Sequence, residues 1–170
     1  MPPEDPQKDA LDLIRSESVL TLATSDDAGP WAAPVYFVCL ENGFYFFSSP
    51  QSLHIQQAIK SGVASASLFC RADSWQAIRG LQMKGRMDRV SDPALSLKVI
   101  SDYLKRFPFT RDFFPAIWRY DSKAFFNRFK VKLFVFVPTE VYYVDNRYGF
   151  GNRQKIEWKA QETQSNTRNG

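Results

Sequence analysis

Residues 31–59 constrain this chain more than any other stretch. An extended apolar run, a tight turn, an aromatic return run and a helix start follow one another directly. Residues 31–40 read as a strand. Glu41, Asn42 and Gly43 form the turn, because Asn-Gly tolerates the positive φ angles of a tight hairpin. Residues 44–47 are aromatic and suit a pleated surface. Ser48, Ser49 and Pro50 then signal a helix start, with hydroxyls to cap it and a proline fit for its first turn. Ile55, Ala58 and Ile59 share one helical face, and Gly62 is placed to end the helix. Free amides and the positive end of the helix dipole converge beside these serines, which is the arrangement of an anion cradle. An ordinary capped helix carries the same pattern, so both readings stay open.

The rest of the chain reads as further strands and a few helices. Residues 10–16 make a short amphipathic helix through Leu11, Leu13 and Ile14, and residues 19–24 the first strand. Residues 25–30 read as a loop. Residues 63–69 alternate Ala64, Ala66 and Leu68 with Ser65 and Ser67. Side chains this small either admit a flat group or another backbone, or mark a thin part of the wall. Residues 78–90 form a long strand of period two: Gly80, Gln82, Lys84 and Arg86 on one face, Leu81, Met83 and Met87 on the other. The basic face meets either a polar ligand edge or water. A helix capped by residues 91–93 carries Leu97, Ile100, Leu104 and Phe107 at helical spacing and ends at Pro108. Residues 109–129 are aromatic and basic, and read as partial helix serving as a lid or an interface. Residues 132–137 make a strand that Pro138 breaks or bends and residues 141–144 resume, before a turn-rich stretch over 145–152. No alternation of strands with crossover helices is present, so a small closed or partly split antiparallel barrel is expected.

With 170 residues, 44% of them hydrophobic, the chain is expected to form one domain over residues 10–158. A flexible N-terminus over 1–9 and a disordered polar tail over 159–170 flank it. A net charge of +4 suits an anionic small ligand or nucleic acid without choosing between them. The single histidine, His54, excludes a multi-histidine metal centre, and no metal site is expected. Cys39 and Cys70 have no zinc or redox spacing and read as reduced thiols. No nucleophile-elbow pattern surrounds any serine, and no catalytic residue is assigned. No signal-peptide core and no run of membrane-spanning length is present, so a cytoplasmic protein with no membrane partner is expected. Residues 106–132 combine aromatics with positive charge as single-strand binders do. Asp112 and Asp121 interrupt that charge, and no nucleic-acid partner is expected.

Several blocks, taken in order, carry a resemblance. Ala33-Pro34-Val35-Tyr36-Phe37, the run Phe44 to Ser49, and Leu81-Gln82-Met83-Lys84-Gly85 resemble the barrel blocks of the pyridoxamine 5′-phosphate oxidase-like family. Arg106-Phe107-Pro108, residues 145–151 and Ile156-Glu157-Trp158 are similar to a bacterial subgroup of it with largely uncharacterised members. The resemblance implies a mainly β fold: a six-stranded antiparallel split β-barrel of Greek-key type with two or three flanking helices. It implies a homodimer with FMN at the interface. The ring would lie against Pro34, Val35, Tyr36, Phe46 and Phe47, the phosphate near Ser48, Ser49 and Ser52, and Gln82 and Lys84 would supply polar contacts. Relatives carry a cation two residues past the helix-start serine, where this chain has His54. A histidine of ordinary pKa is mostly neutral at pH 7. His54 is therefore either a single hydrogen-bond donor to phosphate or an exposed helix residue, with Arg79 or Lys84 left to supply charge. Flavin chemistry resides in the cofactor, which agrees with the lack of a triad. The implied function is FMN-dependent oxidation or reduction of a small molecule. The alternative is non-enzymatic binding or storage of flavin or haem on the same fold. Vitamer oxidases carry a longer C-terminal block with arginines for substrate phosphate; this chain does not match it, so vitamer oxidation is not expected.

Overall fold

Period-two strands and amphipathic helices make up the molecule, whose computed structural model describes residues 5–41, 43–113, 126–127 and 129–158. Helix α1 (Pro6–Ser16) starts where the Asp5 carboxylate accepts the Lys8 amide at 2.9 Å, with proline in the first turn. It thus begins before Ala10, and residues 6–9 are helical rather than part of a flexible end. Ala10, Leu13 and Ile14 form its buried stripe.

Strands β1 (Val19–Asp26) and β2 (Gly29–Tyr36) form a hairpin, so most of residues 25–30 are strand rather than loop. Only residues 27 and 28 turn. The Asp26 carboxylate accepts the Ala28 amide at 3.0 Å, and Gly29 takes φ +114°. The single strand expected over 31–40 is two. β2 ends at Tyr36, and β3 (Val38–Leu40) pairs instead with β4 (Gly43–Ser48). Next come α2 (Leu53–Ser61), β5 (Val63–Phe69), β6 (Arg79–Arg89), α3 (Pro93–Arg106), β7 (Lys132–Asp145) and β8 (Arg153–Ile156).

Among the described residues the strand order is β2-β1-β5-β6-β7-β4-β3, with β8 beside β7 and every pair antiparallel. The two ends of this order, β2 and β3, are separated in the chain by Phe37 alone, which is fully buried. That covalent link curls the sheet around its core. The fold is therefore the expected one: mainly β, a curled antiparallel sheet flanked by helices, α1, α2 and α3 among them. The short β8 was not anticipated.

Pro138 does not interrupt β7. Lys84 faces Glu140 and Gly85 faces Pro138, so Thr139 is the extra residue of a β-bulge. Proline is tolerated at a bulge because its missing N–H is not needed there.

Phe44, Phe46, Phe134 and Phe136 point into the barrel with Leu20, Leu22 and Met83. Tyr45, Leu133 and Val135 point the other way, against Val99 and Tyr103 of α3. β4 and the first half of β7 are thus covered on both faces, which explains their unbroken apolar sequence. Asp92 caps α3 through the Leu95 amide at 3.0 Å. Ser96, rather than Leu97, joins Val99, Ile100 and Leu104 on its buried face. The Arg106 guanidinium donates to the carbonyls of Ile14, Arg15 and Glu17, fastening α3 to the end of α1. α2 closes one end of the barrel. Its Gln57 carbonyl accepts the Thr24 hydroxyl at 2.7 Å, and its amide donates to Asp26 at 3.0 Å and to the Gly29 carbonyl at 3.1 Å. Gly62 ends α2 at φ +74° as expected, while Ile59 is exposed rather than buried. In the aromatic segment, Phe114, Trp118, Tyr120 and Phe125 lie outside the described residues, as do residues 1–4, Asn42 and the tail over 159–170.

Among the described residues, α3 packs against the outer side chains of β3, β4 and β7. On the outer face of β2-β1-β5-β6, Tyr36 at the rim packs on Phe107 and Phe109 just past α3, while the centre of the face carries no described α-helix.

Candidate functional site

Strand alternation and register set out that open face row by row. One row runs Pro34, Thr21, Ser67, Gln82, Tyr142. The next runs Ala32, Ala23, Ser65, Lys84, Glu140. Four strands at about 4.8 Å spacing place Pro34 roughly 14 Å from Gln82. Only small side chains stand between them, so the middle of the face is a shallow shelf. Tyr36, 47% exposed, and Phe69, 64% exposed, border it with Val19 and Val63.

The polar end of the shelf is organised by a residue that the sequence reading did not select. Arg153 of β8 donates to the Gln82 carbonyl oxygen at 3.3 Å, which leaves the Gln82 amide as the outward donor. Lys84 faces Glu140 across the strand pair, and Glu140 is bonded at 2.9 Å to Lys155. The hydrogen bond and charge of Lys155 hold the Glu140 carboxyl below its usual range, with a smaller pull from Lys84.

At the other end of the shelf an open recess of about 800 Å³ adjoins it. Thr21 and Pro34 line it from the shelf, with Phe69, Cys70, Arg71 and Ile78 on the loop side. Such a volume lies within the roughly 300–1,000 Å³ typical of small-molecule sites. Of the residues expected to contact a ligand, only Pro34 lines it. Cys70, Arg71, Ala72 and Ile78 escaped the sequence because the connection between β5 and β6 brings them there. The Cys70 thiol donates to the carbonyls of Ala77 at 3.7 Å and Arg79 at 3.6 Å. Burial pushes the Cys39 thiol up to about 12, which keeps it protonated.

The serines gather as expected at the start of α2. Ser48, nearly buried, has its hydroxyl 3.0 Å from His54 Nε2 and 3.4 Å from the Ser52 hydroxyl. Ser49 accepts the Gln51 amide at 3.2 Å. Ser52 occupies the N-cap position but makes no side-chain capping bond. The first turn of α2 is therefore uncapped by a side chain, with three hydroxyls beside it. His54 is buried, not exposed, and burial lowers its pKa below 6.5. It is a neutral ring bonded to Ser48, not a standing cation.

A depressed histidine pKa stabilises the native state above the unfolded value of about 6.5, and that contribution is lost as pH falls through the folded value. Urea unfolding is therefore expected to show stability declining below about pH 6.5, with His54→Gln flattening that decline. An identical slope in the variant would remove His54 from the account.

The remaining expected residues fall into two settings. Tyr36 and Pro34 look outward on β2, whereas Val35 alternates inward and packs on the core. Phe46 has no exposed surface and stacks on Phe134 with ring centroids 6.1 Å apart. Alternation turns it away from the shelf, so Phe46 is a core ring rather than a ligand contact. Phe47 is half-buried beneath Tyr103 of α3, its centroid 4.9 Å away. Among the described residues no group of three or more His, Cys, Asp or Glu side chains is placed to hold a metal. No helix among them is long and apolar enough to cross a membrane.

A family model described as pyridoxamine 5′-phosphate oxidase matches residues 7–145. No curated protein matches the sequence. Among solved structures, a heme binding protein from Mycobacterium smegmatis is similar with a TM-score of 0.67 at 18% identity, over 92% of this chain and 59% of that one. The chain thus spans less than two thirds of that relative's length. HutZ, the heme storage protein from Vibrio cholerae, is similar at 0.62 and 18% identity, over 79% of this chain and 92% of its own. A FAD-binding protein from Mesorhizobium loti is similar at 0.58 and 16% identity, over 79% and 91%. At these identities the likeness is one of fold.

Proposed function

Since this chain belongs to the pyridoxamine 5′-phosphate oxidase family, we propose that it binds FMN on the open face of β2-β1-β5-β6. In this reading the chain works as a homodimer whose two open faces enclose the cofactor, and it oxidises or reduces a small molecule. The observation that carries the reading is the shelf itself. Small side chains leave room for a flat ring, and the Gln82 amide, oriented by Arg153, stands at its edge as a donor.

The residues present fit the cofactor in part. Thr21, Ala23, Ser65 and Ser67 leave the ring space, and Gln82 and Lys84 supply donors for its polar edge. Ser48, Ser49, Ser52 and the uncapped first turn of α2 would hold the phosphate. Val35 and Phe46 face the core and take no part. His54 brings no standing charge to the cradle, because burial lowers its pKa; Lys132, opposite Ser48 across β4 and β7, is a cation beside it. A phosphate dianion would favour the protonated ring, so phosphate binding and His54 protonation are linked. When bound, the flavin supplies the redox chemistry. The chain's part is to orient the ring, exclude water from it when two open faces meet, and leave the recess at Thr21, Pro34 and Phe69 for a substrate.

Titration of the purified protein with FMN and with riboflavin tests this. FMN is expected to show saturable binding with a shifted visible spectrum, at least tenfold tighter than riboflavin and tighter at pH 6 than at pH 7.5. Replacing Ser49 and Ser52 together with alanine is expected to cut that preference while leaving riboflavin affinity unchanged. A protein that ignores both flavins and instead saturates with haemin would replace this reading with storage or binding of haem. His54, bonded to Ser48, would then not be available as the axial ligand.

A further inference from the structure

We propose that the groove between α2 and the ends of β6 and β7 binds an anionic amphiphile: a carboxylate or phosphate on a short apolar chain. The groove encloses about 420 Å³. It shares no lining residue with the recess beside the shelf, so the proposal is independent of the flavin reading.

Its floor and one wall are apolar. α2 presents Ile55 and Ile59, one helical turn apart, to the groove. Ile55 and Phe134 are nearly fully buried and form the floor, while Ile59 remains 48% exposed on the wall. Pro50 closes the end nearest the start of α2.

Two cations also line the groove. The Met87 amide donates to the Gly62 carbonyl at 3.3 Å, which holds the end of α2 against β6. Lys60 lies two residues before that contact and Arg89 two residues after it, and both line the groove. Arg89 also faces Phe134 across the strand pair, so its charge borders the apolar floor directly. Neither charge is cancelled at the groove. Its lining contains no carboxylate. Lys60 meets Asp27 only at 3.9 Å with both side chains largely exposed, a pairing of little strength. Arg89 has no carboxylate within salt-bridge distance among the described residues.

An apolar trough bordered by two cations complements a molecule with an apolar body and one anionic end. The body gains by leaving water, and the head gains charge-assisted hydrogen bonds. A neutral amphiphile of the same length keeps only the first gain.

Isothermal titration of the full chain with octanoate, octyl phosphate and octanol tests this. Both anions are expected to bind saturably, with octanol at least tenfold weaker. Lys60→Gln combined with Arg89→Gln is expected to weaken the anions at least tenfold, leaving octanol and the response to FMN unchanged. Ile59→Asp, an exposed position that tolerates a polar residue, is expected to weaken all three probes. Comparing octanoate with octyl phosphate identifies which head group the cations prefer. Equal binding of octanol and octanoate, unchanged anion affinity in the double variant, or no saturable binding at all would each overturn the proposal.

Discussion

Gly85→Ala is expected to lower the unfolding free energy by about 3 kcal/mol, the upper range for forcing volume into a packed site. Gly85 sits at the bulge where β6 meets β7, opposite Pro138. A methyl group there would overlap the Val137 carbonyl oxygen and stand 2.8 Å from the Phe136 ring. Neither neighbour can yield. Val137 is held in the ladder between β6 and β7, and Phe136 is a fully buried core ring. The fitting control is Gly29→Ala, where nothing lies within 4 Å of an added methyl but the backbone takes φ +114°. Strain alone is expected to cost about 1 kcal/mol there. Chemical unfolding of both variants checks the ordering. If Gly85→Ala costs no more than Gly29→Ala, the bulge relaxes freely and does not set the register of the two longest strands.

Asp145→Ala is expected to cost a similar amount, about 3 kcal/mol, the lower end for breaking a buried pair because Arg147 is itself partly exposed. Asp145 has no exposed surface. It accepts the Tyr143 hydroxyl at 2.9 Å and the Arg147 amide at 3.0 Å, and pairs with the Arg147 guanidinium at 2.6 Å. Arg147 continues to Asp9 of α1 at 3.1 Å. One carboxylate therefore ties the end of β7 to the first helix. Burial acts to raise the Asp145 pKa, but the hydrogen bonds from Arg147 and Tyr143 together outweigh it, and the net shift is downward from 3.8. A depressed carboxyl pKa contributes stability above the unfolded value of about 3.9, lost as pH falls through the folded value. Asp145→Asn, which keeps a partner for Tyr143 but not the charge, is expected to cost less than alanine at pH 7. It is also expected to abolish this part of the acid decline below about pH 4. A variant whose acid decline matches that of the parent protein would show that other carboxylates govern it.

Much of the fold was legible because local rules carried it. Alternation on β6 sorted Gln82 and Lys84 from Met83 and Met87 correctly, since side-chain direction in a strand follows from backbone geometry alone. Gly62 announced the end of α2, because a left-handed residue at a helix terminus is a local event. The end of α3 before Pro108 was read the same way. Phe46 and Phe47 were harder. Both belong to an aromatic run, and nothing local says that Phe46 faces the core while Phe47 lies under Tyr103. That depends on α3, which reaches β4 from beyond β6. His54 carried a similar ambiguity. Its place beside Ser52 was plain, but its burial follows from how α2 seats on the end of the barrel.

The sequence by itself determined most of the segments that become strands and helices, where the serines collect, and which residues of each strand share a face. These are consequences of backbone geometry over a few residues. Only the tertiary structure decided that the chain changes partners at Phe37, that Arg153 orients Gln82, and that α3 roofs the outer side of β3, β4 and β7. Each of these joins residues far apart in the chain, and their pairing is fixed by which buried surfaces fit together once the barrel closes. No window of neighbouring residues contains that information.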